Sequence, residues 1–461
     1  VTATRTHRSA EEIGRTERGP RPLPGLGTTA QVPLPEVVTE TLPNGLTVLA
    51  ARRPGVPLVE TVLRIPAASP EPVADAARTA GTEVLAETML TGTATRDRVG
   101  LDDDLAAVGA ELGVAVDPEW LHAGGSALAS GLPVVLDVLA DVLTGATHTD
   151  SEVARERERL VERIAVARAQ PRTVAREALM RRRFGDHPIV SELPTAEAVA
   201  AVTPERVRAL HADTVVPDGA RLVLVGDIDP AAAIAEVARR LGHWSGAHPA
   251  RRLSAPPVPR AGDLELVHRA GSVQSQLRLT APGVDRTDER YAAFQIANLV
   301  FGGYFSSRWM ENVREDKGYT YGAHSGQEFV PGGAVLGLDV DVATDVTAAA
   351  LLETRYELGR MVAVPPTEQE VESARQYAIG SLLVSLDSQS ALAGTLSALD
   401  AVGLDAGWLR DRPRRLAEVT VEQVTAAAAE LFAPARFTGV IVGDAEVTGP
   451  RLEALGGVVR A

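Results

Sequence analysis

The chain has 461 residues, 45% of them hydrophobic, which is enough for two globular domains with sizeable cores. Cysteine is absent, excluding disulfides, thiolate metal sites and cysteine nucleophiles. A net charge of −15 argues against nucleic-acid binding, and no run approaches the roughly 18 apolar residues of a membrane span.

The first 34 residues are basic and proline-rich, without the apolar core of a signal peptide, and are expected to be a disordered tail. Order is expected from about residue 35. Val37–Leu42, the turn Pro43-Asn44-Gly45 and Leu46–Ala50 read as a hairpin, with Leu58–Pro66 as a third strand. Helical patterns follow over Glu71–Thr91, Leu101–Leu112, Leu132–Leu143, Ser151–Ala169 and Thr173–Phe184, the last with Thr173 as its expected cap. Gly185-Asp186-His187-Pro188 is a turn. Thr203 caps a helix to Thr214 with Pro204 at its first position. Ala220–Asp227 is a buried strand, and Pro230–Leu241 a helix. Residues 247–262, rich in proline and arginine, read as a linker between a domain at 35–246 and a domain at 263–461.

The pattern then restarts. Strands are expected at Leu264–Val267, Ser275–Ala281, Gly333–Val342 and Thr438–Asp444. Helices are expected at Glu289–Phe301, Thr347–Val362, Thr367–Leu386 and Val419–Phe432. Thr367-Glu368-Gln369-Glu370 is a capping box. Leu222–Asp227 recurs as Gly439–Asp444, 217 residues on, and two further elements recur at the same offset. The expectation is an α+β chain of two tandem homologous domains. Each would be an antiparallel-rich sheet with helices on one face, and together they would form half of a clamshell.

Between helix and strand in the second half lies Ser306–Gly322. Gly302 and Gly303 precede it in an expected flexible turn. Ser306 or Ser307 can cap a helix whose apolar face is Trp309, Met310 and Val313. Gly318 is the expected stop, and Tyr319, Tyr321 and Ala323 then alternate as in a short strand. That junction holds a guanidinium, Arg314, near a phenol. The strand pattern puts Tyr319 and Tyr321 on one side and does not choose between them.

With these motifs in this order, residues 35–461 resemble the insulinase/pitrilysin-like zinc peptidases, a family that also includes mitochondrial processing peptidase subunits. The resemblance rests on Pro43–Leu46, Asp186-His187-Pro188 and Val225–Asp227 in the first half. In the second it rests on Ser307-Arg308, Val313-Arg314-Glu315 and Lys317–Gly322. Active members carry His-x-x-Glu-His on a first-half helix, and a distal glutamate completes the zinc ligands. The resemblance aligns Val84 and Thr88 with the two histidines, Glu87 with the general base, and Glu162 or Arg163 with the distal ligand. On that alignment the chain carries no metal and no cofactor.

The resemblance further implies a non-zinc, substrate-binding subunit of a two-chain zinc peptidase. Such subunits present an arginine and a tyrosine seven residues apart to the zinc of their partner, and that spacing selects Arg314 and Tyr321. A guanidinium and a phenol are suitable donors to the oxyanion of peptide hydrolysis. The expected substrate-binding residues are Arg314, Tyr321, Tyr319 and Gly303. The expected partners are a homologous chain with an intact His-x-x-Glu-His motif and an unfolded peptide, in the cytoplasm, with no nucleic acid and no membrane. The alternative is a non-catalytic structural or peptide-binding protein of the same fold. Of the histidines, His187, His243 and His248 read as structural or unengaged, and His324 as a minor candidate for touching substrate.

Overall fold

The computed structural model describes residues 34–246 and 251–461. The expected tail up to Pro33, positions 247–250 of the expected linker and His248 lie outside the described residues. Six strands form a first sheet: β1 (Val37–Thr41), β2 (Thr47–Arg52), β3 (Leu58–Pro66), β4 (Gly113–Val116), β5 (Trp120–Leu128) and β6 (Arg221–Gly226). Six more form a second: β7 (Leu264–His268), β8 (Gln274–Pro282), β9 (Ala323–Val330), β10 (Gly333–Ala343), β11 (Thr438–Gly443) and β12 (Val458–Arg460). The orders are β1-β2-β6-β3-β5-β4 and β12-β7-β11-β8-β10-β9. Both sheets are mixed and mostly antiparallel, with parallel pairs β2–β6, β7–β11 and β7–β12.

The repeat seen in the sequence is thus a repeat of topology. β6 and β11, the strands ending in Val-Gly, occupy the same place in the two sheets. They read as unbroken apolar runs because both of their faces are covered. The edges differ. β1 joins β2 through the expected hairpin, whereas the corresponding edge of the second sheet is closed by the C-terminal strand β12.

One face of the first sheet packs on helices Ala76–Thr88, Leu132–Gly145, Pro204–Thr214 and Pro230–Leu241, which form the larger core with it. Helices were expected on that face only. In the structure the opposite face is covered by Gln389–Asp400, a helix from the second half, whose Leu392, Leu396 and Leu399 pack with Leu49, Val223 and Val225. Reciprocally, Pro171–Phe184 from the first half lies on β8 and β11 of the second sheet. There Arg183 is buried, donating to Thr280 at 3.0 Å and pairing with Glu328 at 2.8 Å. Each half therefore completes the other's sandwich. The Pro171–Phe184 helix also starts earlier than expected. Pro171 occupies its first position, where a missing N–H costs nothing, so Thr173 is not the cap.

Candidate functional site

The stretch after Tyr291–Asn298 is held by close packing rather than flexibility. Leu299–Gly303 continues that helix as a wider π-type turn. A Cβ at Gly302 would stand 2.8 Å from the Trp309 ring and 2.9 Å from Ser325 Oγ, and one at Gly303 would stand 2.8 Å from Asn298 Nδ2. The expected flexible turn is thus a tight one, and glycine is needed there for close approach. Ser307 stands at the cap position with extended backbone, yet its hydroxyl makes no capping bond. The start is fixed instead by Arg308. Its guanidinium is buried, donates to both oxygens of Glu370 at 2.6 and 2.9 Å, and reaches the Val364 carbonyl at 3.0 Å. This pairing holds the Glu370 carboxyl down at about 2.

Arg308–Met310 then widens into a second π-type turn over Glu311–Asp316, a distortion that often marks functional positions. Trp309 and Val313 are fully buried, and Trp309 stacks on Phe301 with ring centres 5.4 Å apart. Gly318 ends the helix at φ 64°, as its position predicts. The strand begins later than expected, at Ala323, so the alternation over 319–322 does not hold. The two tyrosines consequently part. Tyr319 packs against the second core, whereas Tyr321 is 97% exposed.

Tyr321 and Gly303 line a cleft of about 900 Å³ between the Pro171–Phe184 helix and the β8–β10–β9 side of the second sheet. Tyr304, Phe305, His324 and Tyr377 share its wall, and Arg183, Arg278, Asp339 and Asp341 charge its floor. Arg314 is not among the residues that line this cleft. Its guanidinium lies 4.3 Å from the centre of the exposed Phe305 ring and pairs with Glu315 at 2.5 Å. The structure thus puts Gly303 and Tyr321 on one cleft and links Arg314 to it through Phe305. The Tyr321 hydroxyl has no hydrogen-bond partner among the described residues, which leaves it free to donate to a ligand.

The first-half helix corrects the expected alignment. Val84 and Thr88 are both fully buried, Val84 in the core and Thr88 donating to the Val84 carbonyl at 2.7 Å. They face away from position 163. The half-exposed face carries Glu83 and Glu87, one turn apart, and Arg163 from the neighbouring helix Asp150–Ala169 donates to Glu87 Oε1 at 2.6 Å. Glu83 is pushed up to about 7, chiefly by burial, with the charge of Glu87 adding to the effect and that of Arg163 opposing it. A metal held jointly by this helix and position 163 would have to sit on the Glu83/Glu87 face. These residues do not fit one. The third position presents a guanidinium, which keeps its proton and offers no lone pair. Among the described residues no three His, Cys, Asp or Glu side chains converge as a metal group.

His148 carries no motif in the sequence and takes its place only in the fold. It is fully buried behind the same helix, with Nδ1 2.8 Å from the Thr88 hydroxyl and Nε2 2.7 Å from His211 Nδ1. His211 in turn donates to the Leu143 carbonyl at 2.9 Å. Burial pushes His148 down to about 3, so it is a neutral strut of the core. His187 is structural as expected, with Nδ1 accepting from the Ile189 amide at 3.2 Å.

The family model described as Insulinase (Peptidase family M16) matches residues 73–196, and that described as Peptidase M16 inactive domain matches 201–377. An uncharacterised zinc protease of Streptomyces coelicolor is 27% identical over 450 residues, covering 94% of each chain. A peptidase M16 inactive domain from Pseudomonas fluorescens superposes with a TM-score of 0.80 at 24% identity, covering 89% of this chain and 98% of that one. A protease from Helicobacter pylori superposes at 0.79 with 15% identity, covering 89% and 100%. Both solved structures share the fold of two mixed sheets with flanking helices.

Proposed function

Because the chain belongs to the insulinase family of peptidases, we propose that it is the non-zinc, substrate-binding subunit of a two-chain zinc metallopeptidase, inactive alone. In this reading a homologous partner carries an intact His-x-x-Glu-His motif and the zinc. An unfolded peptide is enclosed between the two chains. Tyr321 and Arg314 bind its backbone and donate to the oxyanion that forms at the partner's zinc. Gly303 shapes the wall along which the peptide lies, whereas Tyr319, packed against the second core, lies off that wall.

The observation that carries the reading is Tyr321. A phenol 97% exposed on the wall of a large cleft has no packing role, and its hydroxyl meets no other described residue. A donor in that state costs the fold nothing to keep and is available to a bound peptide. The Glu83/Glu87/Arg163 set supports the other half of the reading, since a guanidinium at the third position leaves the zinc of a peptidase to be supplied by another chain. Arg314 is the weaker member. Its stack on Phe305 and its pairing with Glu315 favour the alternative, a non-catalytic protein of the same fold, unless peptide binding draws the guanidinium forward.

The test is substitution within the assembled pair. Tyr321→Phe and Arg314→Ala should each lower kcat/KM on an unstructured peptide by about 10²–10³-fold, with the two chains still co-eluting in gel filtration. Unchanged turnover for both variants would assign the chain to the non-catalytic class.

A further inference from the structure

The half-exposed face of Ala76–Thr88 and the helix Asp150–Ala169 meet through one pair of side chains. Arg163 Nη2 donates to Glu87 Oε1 at 2.6 Å, and Glu83 lies one turn before Glu87 on the same face. The neighbouring positions fix this arrangement. Val84, Leu85 and Thr88 are fully buried on one helix, and Leu160 and Ile164 are buried on the other. Neither helix can rotate to offer a different set. Two donors one turn apart, with a third from an adjacent helix, form the constellation that holds a tetrahedral metal in this family's active members. Here the first two are carboxylates, which would suit a divalent cation. The third is a guanidinium, which brings the cation itself.

We infer that Glu83, Glu87 and position 163 are the metal-ligand positions of this fold, and that Arg163 is a resident monovalent cation that closes them to divalent ions. The assignment shifts the sequence alignment by one residue and puts Ala86, which has no acid-base chemistry, where the general base would be. It also makes the loss of metal a matter of side chains alone, because the backbone frame is intact. This inference rests on the geometry of the first half and on family membership. It does not depend on Arg314, Tyr321 or a partner chain, and it can fail while the subunit reading stands, or the reverse.

The experiment is isothermal titration of the full chain with ZnCl₂ and with MnCl₂, alongside thermal melts in the presence and absence of each ion. The unsubstituted chain should bind neither ion at this face. Arg163→Glu, a change at a half-exposed position, should bind one ion per chain with micromolar affinity, and the melting temperature should rise with ion concentration. Adding Glu87→Gln should weaken that binding at least tenfold. The combination Glu83→His, Glu87→His and Arg163→Glu should bind zinc at least tenfold more tightly than Arg163→Glu alone, since imidazole suits zinc better than carboxylate does. A folded Arg163→Glu chain that takes up no ion would overturn the assignment, as would uptake indifferent to Glu87→Gln. Stoichiometric binding by the unsubstituted chain that is lost with Glu87→Gln would overturn the role given to Arg163. Should the triple variant not fold, the comparison of Arg163→Glu with Arg163→Glu/Glu87→Gln decides the matter alone.

Discussion

Replacing Arg308 by alanine separates the architectural arginine of the Ser-Arg…Val-Arg-Glu stretch from the one proposed to meet substrate. The Arg308 side chain is 5% exposed and makes a two-pronged pair with Glu370. It also donates to the carbonyls of Val364 at 3.0 Å and Pro365 at 3.3 Å. Removing it takes the donor from two carbonyls and leaves the Glu370 carboxylate with only the amide and hydroxyl of Thr367 in the capping box, and breaking a pair of this kind costs about 3–5 kcal/mol. The acid side gives an independent figure. Glu370 is held at about 2 against an ordinary 4.5, first by Arg308. Each pH unit of such displacement is worth about 1.4 kcal/mol, so the linkage is about 3 kcal/mol, or about 2 after screening of a carboxylate about one-third exposed, with Arg308 supplying the largest share and the Thr367 amide and hydroxyl the rest. Because the folded value is depressed, this stability is complete above pH 4.5 and is lost as pH falls toward 2. Arg308→Ala should therefore lower the melting temperature at neutral pH by about 5–10 °C. It should also flatten the decline in urea midpoint between pH 4.5 and 2. A melting temperature within about 1 °C of the original, or an unchanged acid limb, would refute the reasoning.

Other outcomes follow from the same structure. Arg314→Ala, which loses only one exposed stack and a pair with an adjacent residue, should shift the melting temperature by no more than about 2 °C. His148, kept neutral in the fold and down at about 3, protonates freely once unfolded, so stability should be full above about pH 6.5 and fall by about 3–5 kcal/mol as pH drops toward 3. Chemical denaturation at stepped pH reads that slope, and His148→Asn should reduce it. Gly302→Ala forces a methyl against the Trp309 ring and Ser325, which should cost about 1–3 kcal/mol by denaturant titration. A neutral result would contradict the close packing described for that turn.

Much of the fold was legible because its strands carry strong local signals. β3 occupies its expected span, Pro204 and the Thr367 capping box sit where their chemistry puts them, and the 217-residue repeat became two sheets of one topology. β4 and β5 were missed because Gly124 and Gly125 break the apolar alternation. Their missing side chains make room for the Thr61 and Glu111 carbonyls of neighbouring chain segments. The covering helix Gln389–Asp400 was missed as well, since its role exists only when the other half's sheet is in place.

The zinc-motif helix failed in a more instructive way. The resemblance aligns the ligands with Val84 and Thr88, whereas the face turned toward position 163 carries Glu83 and Glu87. Carboxylates four apart beside a buried Val84 and Leu85 mark the face turned from the core. The Arg163 contact with Glu87 spans 76 residues and could not be read from spacing within one helix. Spacing selected Tyr321 over Tyr319, and the structure gives the two rings different surroundings, one exposed on the cleft and one against the core.

The most direct measurement is cleavage of a fluorogenic unstructured peptide by this chain and by a homologous chain with an intact His-x-x-Glu-His motif, each alone and then mixed at equal concentration. Turnover is expected only in the mixture, abolished by chelation and restored by added zinc. Full activity from the homologous chain alone, unaltered on addition of this one, would contradict it.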